Sequence, residues 1–160
     1  MAKEKTTKKQ ILDKKLREYK KILQKDADWD WIYILRLLKY KLERTRKCIL
    51  SNDIVVSAPK IAKQIQAVET LLERVEKDQY FDEISKDFHK KYGKLRMVTK
   101  KVKGKPYHAV KCNFTKETET NSKEIHKEFS KLRRRAEFMQ RNDLKKAFAL
   151  MHKNIWGWWD

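Results

Sequence analysis

Across its 160 residues the chain places only three glycines and two prolines. These residues end helices and shape tight turns. Their scarcity lets long helices run with few interruptions and leaves too few turn formers for a mainly β fold. The expected fold is therefore mainly α, a single domain of five to six helices with one β-hairpin insertion at about Leu95–Phe114. Residues 1–26 read as a basic amphipathic leader helix. Residues 27–160 read as the helical domain with its hairpin and a Trp-rich C-terminus.

Apolar spacing supports each element. Leu12, Leu16, Tyr19 and Leu23 form one helical stripe backed by Lys8, Lys9, Lys14, Lys15, Arg17, Lys20 and Lys21. That stripe is expected to pack on the domain, with docking on a membrane or a protein as the alternative. Asp28 or Asp30 can cap the next helix, whose buried face is Trp31, Leu35, Leu38, Leu42 and Ile49, widened by Ile34 and Leu37. After a break, Ser57 and Pro59 open a helix in which Ile61, Ile65, Val68, Leu72 and Val75 make a seam. The seam is too short for a long coiled coil and predicts antiparallel pairing with the preceding helix. One short helix is expected from Asp78 to Tyr92, with Phe81, Ile84 and Phe88 inward and Gly93 as its C-cap.

The grammar then changes. Val110, Cys112 and Phe114 alternate with Lys111 and Asn113, and Lys103-Gly104-Lys105-Pro106 signals a turn, so Leu95–Val102 is expected to pair with Tyr107–Phe114. Helical spacing returns with Thr120 or Ser122 as cap and Ile125, Phe129, Leu132 and Ala136 on the apolar face. Asn142 or Asp143 is expected to restart a last helix with Leu144, Phe148, Met151 and Ile155 inward.

Charge points to function. Lys and Arg total 41 against 22 Asp and Glu, a net charge of +19, and such an excess repels itself in a compact state. A polyanion that neutralises it is the expected partner, nucleic acid first, then an anionic membrane, an acidic protein or a phosphate-rich ligand. Solubility alone is the blander explanation. The excess is densest at residues 86–116, with eleven Lys and Arg against a single acid, Asp87. The candidate anion-binding residues there are Lys94, Arg96, Lys100, Lys101, Lys103 and Lys105. A two-stranded ribbon can enter a major groove or track phosphates, while lysines on an edge also guard against unwanted strand pairing.

Arg133, Arg134, Arg135 and Arg141 are a second candidate cluster. Consecutive helical residues fan over about 200°, so the triplet cannot face one ligand together. Trp29, Trp31, Tyr107, Trp156, Trp158 and Trp159 are candidates for stacking on a base or cation. Tryptophans near a chain end more often pin a last helix to the core.

Catalytic signals are weak. His89, His108, His126 and His152 share no spacing, and no Walker, HExxH, GxSxG or Rossmann glycine pattern occurs. No cofactor or metal is expected, although a phosphodiester-cleaving enzyme built from scattered side chains stays open as an alternative. Cys48 and Cys112 lack metal-ligand spacing; reduced intracellular thiols are expected, with one disulfide between them as the alternative. The N-terminal segment is charged and no apolar run nears the roughly 20 residues of a membrane span, so a cytoplasmic protein without a transmembrane segment is expected.

The set formed by Asp28-Trp29-Asp30-Trp31, the Leu/Lys-rich helix after it, Lys90-Lys91-Tyr92-Gly93 and the terminal Trp158-Trp159-Asp160 resembles a family of small proteins of tailed bacteriophages. Leu38, Leu42 and Arg44 also match. The likeness runs from about Asp28 to Asp160 and leaves out the Lys-rich leader. The family carries no established activity, so no site residue transfers. It implies a setting inside an infected bacterium and two functions of different class. One is a nucleic-acid-binding accessory protein. The other is a counter-defence protein that inhibits a host immune protein or sequesters a nucleotide signal, for which a homo-oligomer is the natural form.

Overall fold

The computed structural model describes residues 8–24, 30–51, 57–118 and 120–158. Six α-helices and one antiparallel two-stranded sheet make up these residues, so the chain is mainly α with a single β-hairpin. In order they are α1 (Lys8–Leu23), α2 (Ile32–Ser51), α3 (Ala58–Lys77), α4 (Tyr80–Ile84), α5 (Lys86–Tyr92), β1 (Leu95–Lys101), β2 (His108–Phe114) and α6 (Ser122–Asn154), closed by a 3₁₀ turn at Ile155–Trp158. The chain divides into two compact units, Met1–Lys77 with Asp143–Asp160, and Asp78–Asn142. Asp28, Trp29, Trp159 and Asp160 lie outside the described residues, as do residues 1–7 and 25–27 of the leader.

The first unit is built on the antiparallel pair α2–α3. Asp30 accepts the Ile32 amide at 3.0 Å and so caps α2. Ser57 carbonyl oxygen takes the Lys60 and Ile61 amides at the start of α3, and Pro59 falls in its first turn, where its missing N–H leaves no gap. Ile61, Ile65, Val68, Leu72 and Val75 are all buried, facing Leu35, Leu42 and Ile49 of α2. Fully burying such a side chain is worth about 1.5–3 kcal/mol each, so this seam makes a large contribution to the unit's stability. Ala147 completes the cluster from α6, with Leu144, Leu150 and Met151 packed beside it. Asp78 ends α3 with φ 45°, a left-handed stop that Asp tolerates better than most residues.

Three expectations fail here for one reason, that helical spacing marks a stripe but not its cover. Leu12, Leu16 and Leu23 of α1 are each more than half exposed. The helix instead leans on α2 through Tyr19, whose ring meets that of Tyr40 edge-on at 5.0 Å. Trp31 precedes α2 and is exposed, and Ile34 is 66 % exposed, so neither belongs to the α2 core face. Phe148 on α6 and Ile155 in the 3₁₀ turn after it are likewise exposed, and Ala147 takes the central buried position on α6.

In the second unit, the helix expected over Asp78–Tyr92 is two short ones divided at the buried Ser85. An aromatic cluster of Phe88, Tyr92, Phe114 and Phe129 packs with ring centroids 5.0–5.9 Å apart, together with Ile125. Gly93 turns the chain into β1 at φ 80°, and a Cβ there would stand 1.8 Å from Thr115 Oγ1. Only glycine fits.

No helix restarts at Asn142. α6 runs unbroken through that point, and the buried Asp143 accepts a 2.7 Å charge-assisted bond from Arg74.

Candidate functional site

The register of the hairpin sorts its side chains. Leu95 pairs with Phe114, Arg96 with Asn113, Met97 with Cys112, Thr99 with Val110, Lys100 with Ala109 and Lys101 with His108. Directly opposed residues share a face. One face therefore carries Leu95, Met97, Thr99, Val110, Cys112 and Phe114, ending at Lys101 and His108. The other presents Arg96, Val98 and Lys100 beside Ala109 and Asn113.

Only the root of this ribbon is packed. Phe114 is buried and Leu95 and Cys112 are half-buried, whereas every described residue from Arg96 to Val110 except Val102 is exposed. At about 3.3 Å per residue, the two strands form an arm roughly 20 Å long. A lone two-stranded hairpin is marginal in water, so its anchorage matters. The Thr115 amide donates to the Lys94 carbonyl at 3.0 Å, and the Lys94 amide donates to Thr115 Oγ1 at 3.1 Å. The Lys116 amide reaches the Tyr92 carbonyl at 3.1 Å.

Glu117 ties β2 to the start of α6. It accepts the Ser122 hydroxyl at 2.6 Å and the Phe114 amide at 2.7 Å, with His126 Nε2 at 3.2 Å. The Ser122 hydroxyl first, then the Phe114 amide, hold this carboxyl below the usual Glu range.

The cations on the arm have no such ties. Among the described residues, no ion pair engages Lys94, Arg96, Lys100, Lys101, Lys103 or Lys105, and all six are exposed. Arg96 and Lys100 share one face, Lys101 stands on the opposite one, and Lys103 and Lys105 occupy the tip. Lys105 Nζ lies 5.3 Å from the centroid of the half-exposed Tyr107 ring, which places a cation and an aromatic together at the end of the arm.

Arg133, Arg134 and Arg135 splay around α6 as their spacing predicts, and all three are exposed, as is Arg141. Arg133 turns toward Glu137, 3.9 Å away, on the wall of a groove of about 580 Å³. Leu95, Met97, Phe81 and Phe129 supply the apolar lining of this groove. The candidate tryptophans separate. Trp156 is 84 % exposed and Trp31 about half, but Trp158 is 2 % exposed and belongs to the core, so its ring is not available to a ligand. The charge count of the sequence also missed part of the surface, the lysines of α6 at Lys123, Lys127 and Lys131. Their four-residue spacing is the signal in the sequence that places them on one face.

Comparison with protein-family models, with curated proteins and with solved structures yields no match to the chain. The residues themselves therefore carry the functional assignment. Among the described residues, no three His, Cys, Asp or Glu side chains are grouped to hold a metal ion. His89 Nδ1 lies 3.1 Å from the Gly93 carbonyl oxygen and His126 pairs with Glu117. No described helix is long and apolar enough to cross a membrane.

Proposed function

We propose that the chain is a non-enzymatic, polyanion-binding accessory protein of a tailed bacteriophage, acting on nucleic acid in the cytoplasm of the infected host. The observation that carries the binding half is the arm itself. It holds a dense set of exposed cations without carboxylate partners among the described residues, on a two-stranded scaffold narrow enough for a groove. Clustered like charges repel one another, and an approaching phosphate backbone would relieve that repulsion. The phage setting rests on the sequence resemblance alone.

Sequestration of a nucleotide signal is the weaker alternative. Such a trap needs cations converging on a cavity, and the groove in the second unit sets one, Arg133, against the carboxylates of Asp78 and Glu137.

The test is a salt titration of binding by fluorescence anisotropy, using labelled duplex and single-stranded oligonucleotides. Affinity should fall steeply with salt, the log–log slope carrying about −0.9 per duplex phosphate contact or −0.7 per single-strand contact. Lys100→Ala, Lys101→Ala and Lys103→Ala combined should flatten that slope by about 2 to 3. An unchanged slope in the triple variant would remove the arm from the interface. Absence of binding to any oligonucleotide at low salt would end the proposal.

A further inference from the structure

On α6, Lys123, Lys127, Lys131, Arg134, Phe138 and Arg141 follow one another at steps of four, four, three, four and three residues. At 100° per residue these six positions fall within an arc of about 80°. The buried or packed positions of the same stretch, Ile125, Phe129, Leu132 and Ala136, centre on the opposite side of the helix. All six residues are exposed, and among the described residues none of the five cations is in an ion pair. The stripe is about 27 Å long, with cations roughly one helical turn apart over most of it.

Phe138 is the informative member. It is 70 % exposed in the middle of a row of positive charge. A solvated basic face has no use for a bare ring there, and a duplex offers few open base faces to meet one. Unpaired bases do, because each has a π-face that stacks on an aromatic side chain whatever the sequence.

We infer that this face of α6 is a binding track for single-stranded nucleic acid. Lys123, Lys127, Lys131, Arg134 and Arg141 would follow the phosphates, and Phe138 would stack on a base. The inference rests on the polyanion-binding reading above and names its substrate class. Tyr107 beside Lys105 at the tip of the arm repeats the pairing of cation and exposed ring on a smaller scale.

The experiment uses the full chain with labelled oligothymidylate, oligouridylate and a mixed-sequence duplex, each of about 20 nucleotides. At matched salt, at least one single strand should bind about tenfold or more tightly than the duplex. Phe138→Ala should weaken single-strand binding about five- to hundredfold while leaving the salt slope unchanged, since a stacked base releases no counterion. Phe138→Trp should retain binding. Arg134→Ala should instead reduce the slope by about 0.7.

These positions are exposed, so circular dichroism should show each variant folded. Equal or tighter duplex binding, carried by the arm and indifferent to Phe138→Ala, would overturn the track and leave the broader proposal standing. Loss of self-association in Phe138→Ala, seen by sedimentation with oligonucleotide affinity intact, would also overturn it. Failure of every oligonucleotide to bind would end both.

Discussion

The helix pair α2–α3 and the β1–β2 arm draw on the same cation-rich composition and use it in opposite ways. Between the helices, cations meet carboxylates. Arg36 donates to Glu76 at 2.9 Å with Lys39 on its other oxygen, and Arg46 spans both oxygens of Glu69 at 3.0 and 3.1 Å. These pairs flank a seam of buried aliphatic side chains, where partial burial makes a charge partner necessary. On the arm, exposed cations have no carboxylate partner among the described residues. What separates a lysine tied into the fold from one left in water in this chain is therefore its company, not its frequency.

The largest test of that contrast is on the helical side. Leu72→Ala should cost about 2–5 kcal/mol in urea unfolding, because it opens a cavity in a seam with no exposed member to collapse inward. A much smaller loss would mean that the seam is not a large source of stability. Next comes Gly93→Ala at the root of the arm, where both the positive φ and the Thr115 contact oppose a side chain. It should cost more than about 1 kcal/mol, and adding Thr115→Ala should recover part of the loss. No recovery would mean that backbone strain alone is responsible.

A third test exploits acid. Burial pushes the Glu76 carboxyl up, but hydrogen bonds from Lys39 and Arg36 outweigh it and hold the group below the usual Glu range. Its contribution is thus complete above the unfolded value of about 4.3 and is lost as pH falls through the lower folded value. Glu76→Gln should cost about 1 kcal/mol near neutrality and flatten this part of the acid limb in urea midpoints measured from about pH 5 to 3. A variant with the parent's acid limb would show that the pair contributes nothing. The smallest effect is expected on the arm. Lys100→Ala with Lys103→Ala should leave stability within about 0.5 kcal/mol. A clear gain would show that self-repulsion is concentrated there, and a clear loss would erase the contrast.

Much of the helical side was legible in the sequence, because a seam buried from both sides imposes its period on the residues. Ile61 to Val75 shows this, while Gly93 was legible through the different signal of a glycine ending a helix. The arm was legible at its ends, through the turn at Lys103–Pro106 and the alternation into Phe114. β1 alternates poorly because its strand is exposed on both faces beyond Leu95, so burial selects no pattern. Trp31, Ile34 and the α1 leucines misled for the complementary reason, being apolar at helical spacing yet about half exposed or more among the described residues. Asp143 looked like a cap, and only the distant Arg74 reveals that it is an ion-pair partner. The α6 stripe needed that same correction, since it follows from one continuous helix and not from a local run of arginines.

Gly104 keeps a positive φ of 75° but has nothing within 4 Å of where its Cβ would stand, while Gly93 at the other end of the hairpin has no room at all. Lineages descended from this chain should therefore drift in the length of the tip and in the residues flanking Gly104, by insertion or deletion around residues 103–106, while the Gly93–Thr115 junction stays frozen. A foreign hairpin spliced in above that junction would inherit its footing, which makes the arm an exchangeable part.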